Sequence, residues 1–112
     1  AQHREDGSAT SLDYRTGEDQ AQGTAFQRLC EGLGNDNDQS LSGYLHLFNP
    51  SSTTFVKHFI TQTNQVRYND RLYNFHIAGY FNTTSAIDEI QFKMSSGNID
   101  AGTIKLYGIK GS

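Results

Sequence analysis

The sequence has few of the residues that cross-link a chain, bend it or give it strong charge. Cys30 is the only cysteine and Pro50 the only proline. A single cysteine cannot form an internal disulfide, which excludes a disulfide-stapled secreted mini-domain. The net charge of -3 and the lack of a Lys and Arg cluster argue against a nucleic-acid partner. No apolar run approaches the roughly 20 residues of a membrane helix, so membrane insertion is not expected.

Aromatic and turn-forming residues are what the chain does contain. Seven Phe and six Tyr supply much of the side-chain surface that can be buried, and eleven Gly favour short strands joined by turns. A chain of 112 residues suits one domain. Residues 1–40 are less regular and acidic. Because the chain begins Ala1-Gln2-His3 without Met, we expect a processed product or part of a longer chain.

Hydrophobic alternation predicts several strands and no crossover helices. The strands are expected at residues 25–29, 44–48, 55–61, 73–82, 87–95 and 102–109, with the last two forming a hairpin. A turn is predicted at Asn49-Pro50-Ser51-Ser52, because proline fixes φ. In the strand at 73–82, Phe75, Ile77, Gly79 and Phe81 share one face. Such a pattern predicts an all-β protein, an antiparallel β-sandwich of jelly-roll type. It would be a single domain over residues 1–112 or the C-terminal part of one. Its open sheet edges predict oligomerisation.

No catalytic arrangement can be recognised in the sequence. The four histidines are scattered, and the acyl-transfer and nucleotide-binding motifs are absent. Asp88 and Glu89 are adjacent, so on a strand they would point to opposite faces and would be poorly placed to share acid-base work. We therefore expect no enzyme activity and no cofactor.

Two segments carry the binding hypotheses. Asp36 and Asp38 resemble the start of a calcium loop, but Leu41 and Leu47 stand where that motif needs Gly and Glu. A looser calcium site is the alternative to a simple turn, and a metal site is not expected. Tyr68, Arg71 and Tyr73 form the best candidate binding loop, since tyrosines and arginine suit sugars or protein surfaces. The alternative is an ordinary amphipathic strand and turn.

Several long blocks of the sequence resemble one group of proteins. They are residues 34–40, 45–59, 78–87, 90–99 and 103–109, which include Asn49-Pro50-Ser51-Ser52 and Leu106-Tyr107-Gly108-Ile109. These blocks resemble the C-terminal region of structural proteins, of the decoration or fibre type, in virions of marine tailed bacteriophages. Members of that group resemble longer chains with an additional N-terminal part.

The resemblance implies a virion component assembled in the host cytoplasm. It would act by self-association, as a trimer by analogy, and by attachment to other virion proteins. A receptor-binding or glycan-binding module of a phage tail or fibre is the alternative, with a host-surface glycan as partner. A polysaccharide depolymerase is the third hypothesis. The resemblance brings no catalytic residues to the chain.

Overall fold

The computed structural model describes residues 1–20 and 23–109, which form one antiparallel five-stranded sheet. The strands are β1 (Gln2–Arg4), β2 (Thr10–Ser11), β3 (Leu41–Leu47), β4 (Lys57–Val66) and β5 (Arg71–Phe81), in the spatial order β2-β1-β5-β4-β3. The one described helix is a 3-10 turn at Thr16–Glu18, and it is neither long nor apolar enough to cross a membrane. The prediction of an all-β protein is confirmed.

Strands β4 and β5 form the centre of the sheet. They pair over their whole lengths, from Lys57 opposite Phe81 to Val66 opposite Leu72. The side chains of β4 alternate between buried and solvent-facing positions, as strand geometry requires. The predicted strand at 73–82 is confirmed as part of β5, with Phe75, Ile77, Gly79 and Phe81 on the buried face.

A tight three-residue loop, 68–70, closes the hairpin of β4 and β5 between Arg67 and Arg71. The Asp70 amide donates to the Arg67 carbonyl at 3.0 Å, and the Arg67 amide donates to the Arg71 carbonyl at 2.9 Å. Asp70 has a positive φ of 56°, a conformation that Asp tolerates better than most residues. A turn followed by one left-handed residue is a common three-residue hairpin connection, so this loop sets the register of the two longest strands.

The predicted strands at 44–48 and 55–61 correspond to β3 and β4. The turn predicted at Asn49-Pro50-Ser51-Ser52 is also present, because the Ser52 amide donates to the Asn49 carbonyl at 3.1 Å. The Ser52 hydroxyl oxygen then accepts hydrogen bonds from the amides of Thr54 and Phe55, each at 3.2 Å. Side-chain bonds of this kind stabilise an irregular connection before β4 begins.

The buried face of the sheet, which we call the covered face, carries mostly polar side chains along β4. We call these side chains the polar row. Phe59 is the buried apolar residue of the strand, while Lys57, Thr61, Thr63 and Gln65 are buried polar residues. The Thr63 hydroxyl donates to the Leu29 carbonyl at 3.0 Å, and the Gln65 amide donates to the Glu31 carbonyl. The irregular segment before β3 therefore covers this end of the face, and its carbonyls accept hydrogen bonds from Thr63 and Gln65.

The other end of the buried face is covered by the chain that follows β5. Lys57 is only 1% exposed, and its ammonium donates to the carbonyls of Ser85 at 2.6 Å and Thr83 at 3.4 Å. The Ile87 amide also donates to the Pro50 carbonyl at 2.8 Å. The cover thus consists of irregular segments at both ends, and the described residues do not form the second sheet that a sandwich or jelly roll requires.

Three predicted strands are wrong. Residues 25–29 cover the buried face without pairing, and residues 87–95 and 102–109 form neither strands nor the expected hairpin. Alternation shows which face of a strand would be buried, but a strand also needs a neighbour with free hydrogen-bonding groups. Within the described fold, none is placed beside these segments. Conversely, β1 and β2 were missed because they are short and mostly polar.

Candidate functional site

The three residues of the predicted binding loop do not form one exposed cluster. Tyr68 lies at the hairpin tip and is 63% exposed, whereas Tyr73 is 6% exposed and lies on the buried face. Arg71 is half-buried at the start of β5, directly opposite Arg4 of β1. Of the two tyrosine rings, only that of Tyr68 is therefore accessible to a ligand.

Arg67, which the sequence reasoning missed, connects the two tyrosines. Its guanidinium carbon lies 4.7 Å from the centroid of the Tyr73 ring and 5.4 Å from that of Tyr68. Its Nη1 atom lies 3.7 Å from the Glu31 carboxylate, and the Tyr68 amide donates to the Gly32 carbonyl at 3.1 Å. Cation-π contacts and an ion pair of this kind fasten the hairpin to the covering segment. The cluster therefore serves intramolecular packing.

Asp36 and Asp38 are placed differently from each other. The Gln39 side-chain amide donates to Asp36 at 3.4 Å and to Asp70 at 3.3 Å, so this buried amide links the segment before β3 to the hairpin loop. Asp38 is exposed and takes part in no described side-chain bond. In residues 1–20 and 23–109, no group of three or more His, Cys, Asp or Glu side chains is placed to hold a metal ion.

Cys30 is half-buried beside the sheet cover. Burial raises the pKa of its thiol, an effect that the nearby Arg28 opposes. Because the thiolate is the nucleophile, the raised pKa reduces the reactivity of this cysteine at neutral pH.

The face of the sheet opposite the cover is open to solvent. It is formed by the even-numbered residues of the three long strands, including Tyr44 of β3, Ile60 of β4 and Tyr80 of β5. Tyr44 and Tyr80 are each 58% exposed, and Ile60 is 42% exposed. We call this surface the open face. Its apolar side chains are therefore exposed to solvent, unlike those on the covered side of the sheet.

One edge of the sheet, the outer edge of β3, has no partner among residues 1–20 and 23–109. The Phe48 amide donates to the His58 carbonyl at 3.0 Å, so even-numbered residues of this part of the chain bond to β4. Pairing alternates in antiparallel sheets, and the peptide groups of Leu41, Gly43, Leu45 and Leu47 therefore point outward. No described backbone group bonds to them. The strand carries no charge and no proline, the two common protections of such an edge.

The backbone groups of the segment after Ile87 also lack hydrogen-bond partners in the described part of the chain. Residues 88–109 make no hydrogen bond with the described part of the chain. Several of their large apolar side chains are exposed, and Leu106 reaches 91%. A folded chain rarely leaves both its peptide groups and its apolar side chains in water over such a length.

Neither models of protein families, nor curated proteins, nor solved structures gave a match to this chain.

Proposed function

We propose that this chain is a non-enzymatic structural module that assembles with copies of itself, in the role of a tailed-phage virion component that the sequence resemblance implies. The observation that carries the proposal is the exposed, unpaired segment after β5. Its alternating part, Gly102 to Ile109, was predicted as a strand from the sequence, and within the described chain it has no neighbour to pair with.

The outer edge of β3 is the acceptor that fits this donor. The acceptor strand has seven residues, and the donor segment, residues 102–109, is of nearly the same length. Addition of an extended segment to a sheet edge satisfies peptide groups on both sides. Ile104 and Leu106 would share one side of the added strand and could lie beside the half-buried Leu45 and Leu47 of the acceptor.

The donor and the acceptor lie on different parts of one chain. Each copy can therefore donate its segment to one neighbour and accept that of another. The segment of one copy occupies the β3 edge of the next, an arrangement that we call strand exchange. Burial of apolar surface contributes about 25 cal/mol per Å² to its stability. The uncharged β3 strand presents no repulsion to such a neighbour. A structural role needs no group beyond these surfaces, and attachment to other virion proteins can use the same kind of contact.

The strand exchange can be tested with paired substitutions at each partner. We expect Leu106→Pro in the donor and Leu45→Pro in the acceptor to shift the wild-type oligomer towards monomer in sedimentation velocity, because proline removes an amide that pairs and disturbs the strand. Leu106→Ala and Leu45→Ala keep the amide and are the matched controls, which should lose less association. Circular dichroism checks that each variant keeps the sheet.

Two results would contradict the strand exchange. One is a wild-type chain that sediments as a monomer over a wide concentration range. The other is a Leu106→Pro variant with wild-type mass. This variant decides the question even if Leu45→Pro fails to fold, because Leu106 is 91% exposed and contributes no packing to the fold.

The virion role has a separate test. Antibody raised against residues 1–112 should label purified particles of a phage that encodes this chain in immunogold electron microscopy. Label on the shell indicates decoration of the capsid, and label on the tail or fibres indicates a tail-associated component. Absence of label from intact particles, with detection of the chain in the infected lysate, would contradict an exposed virion position.

A further inference from the structure

A diagonal stripe of apolar side chains crosses the open face. Ile60 of β4 is paired with His46 of β3 and with Ala78 of β5. Tyr44 lies two residues before His46 and Tyr80 lies two residues after Ala78, so the two tyrosines are on opposite sides of Ile60 along a diagonal. With strands about 4.8 Å apart and a rise of about 3.4 Å per residue, the two tyrosines are on the order of 15 Å apart. All three side chains are exposed. The stripe is therefore a narrow, extended and accessible surface.

Hydrogen-bonding side chains border the stripe on both sides. His46 and His58 lie on one side, and Gln62 and His76 lie on the other. The Tyr44 hydroxyl and the Gln62 side-chain oxygen are 3.1 Å apart, which holds the Tyr44 ring in place. The His58 and Tyr80 rings are also neighbours, with centroids 6.0 Å apart. These groups can donate and accept hydrogen bonds along the length of the stripe.

The open face contains none of the charged residues of the three long strands. Its members carry hydroxyl, amide, imidazole, aromatic or aliphatic side chains: Ser42, Tyr44, His46, His58, Ile60, Gln62, Asn64, Val66, Leu72, Asn74, His76, Ala78 and Tyr80. Lys57 and Arg71, the charged residues of β4 and β5, lie on the other face. A polyanion or polycation therefore meets no fixed opposite charge here.

We propose that the open face binds an uncharged, linear polysaccharide, whose sugar rings stack along the stripe of Tyr44, Ile60 and Tyr80. The apolar face of a sugar packs on an aromatic ring, while its hydroxyls bond to the imidazoles and amides at the border. An extended, exposed stripe suits a linear polymer better than a small molecule, which needs a concave pocket. This inference is independent of the proposed strand exchange, since it uses side chains of the open face, whereas the exchange uses the outward backbone groups of β3.

A second copy stacked face to face fits this surface less well. Interfaces of that kind have an apolar centre, and here the aliphatic residues at the centre are only Ile60 and Ala78. The amides of Asn64 and Asn74 bond to each other across the strands, and four imidazoles, including that of His3 on β1, occupy the same face. Stacking would bury these polar groups without assured partners, at a cost in free energy.

The test is affinity electrophoresis of the full chain in native gels containing galactomannan, mixed-linkage β-glucan or, as an acidic comparator, alginate. We expect retardation by at least one neutral polymer and none by alginate. Tyr44→Ala and Tyr80→Ala should each weaken binding about threefold to tenfold, the range of one aromatic stacking contact. Tyr14→Ala, which removes an exposed tyrosine outside the sheet, should leave binding unchanged.

Four results would overturn the site. They are absence of retardation by both neutral polymers, equal binding by Tyr44→Ala and Tyr14→Ala, loss of binding in Tyr68→Ala alone, and retardation by alginate as strong as that by a neutral polymer. Leu106→Pro should bind each neutral polymer with the wild-type affinity per chain. Binding that persists in this variant while assembly is lost separates the two proposals, whichever of them fails.

Discussion

Replacement of Lys57 by alanine is expected to lower the free energy of unfolding by about 2 to 4 kcal/mol. The lysine stem is buried on the covered face, and its ammonium bonds to the carbonyls of Thr83 and Ser85. The substitution removes the packing of the stem and leaves those carbonyls without their charged donor. Urea unfolding followed by circular dichroism measures the change.

Two further variants separate the contributions of stem and charge. Lys57→Met keeps most of the buried volume and should lose less stability than Lys57→Ala, because only the hydrogen bonds to Thr83 and Ser85 disappear. Lys105→Ala, in the exposed segment after β5, should change the free energy of unfolding by less than about 0.5 kcal/mol. Equal effects of Lys57→Ala and Lys105→Ala would contradict the role assigned to the buried ammonium.

Phe59→Ala is expected to cost about 3 to 4 kcal/mol of stability. Phe59 and Tyr73 are the only buried apolar residues in the described part of the chain, so little else compensates for a lost ring. The ring also lies beside Phe81, with centroids 5.3 Å apart. Phe55→Ala is the matched control, since Phe55 is exposed and its loss should be small. A Phe59→Ala variant as stable as Phe55→Ala would contradict this packing.

Gly79 tests the same contact from the neighbouring strand. A Cβ atom added at Gly79 would lie 2.8 Å from two atoms of the Phe59 ring, closer than packed carbon atoms approach. Gly79→Ala should therefore destabilise the wild type by about 1 to 3 kcal/mol. In the Phe59→Ala background the clash is absent, and the same change should cost much less. Additive effects in this double-mutant cycle would show that the two residues do not interact.

The sequence was a good guide where strands are long and pair locally. The alternation at 73–82 placed Phe75 and Ile77 on one face of the strand, and in the structure both lie on the covered face. The Asn49-Pro50 turn was also correct, because these two residues restrict the backbone by themselves. In both cases the information lies within a few residues of the element it specifies.

The sequence was a poor guide where structure depends on distant partners. Thr63 and Gln65 look like surface residues of a strand, yet they are buried, and each donates a hydrogen bond to a backbone carbonyl, at 29 and 31 respectively. The alternation at 102–109 predicts a strand, but these residues form none, and no neighbour in the described chain pairs with them. Arg67 lay one residue from the predicted binding loop, and only the folded hairpin shows that it lies against two tyrosine rings.

The polar row on the covered face also determines the order in which the molecule can fold. The β4–β5 hairpin closes a loop of three residues, whereas Thr63 and Leu29 are 34 positions apart in the chain, and Lys57 and Ser85 are 28 apart. Local contacts form first because distant ones require a larger loss of chain entropy. The hairpin therefore forms first, and both covering segments become ordered against it afterwards. In native-state hydrogen exchange, those segments should open before β4 and β5 release their amide protons.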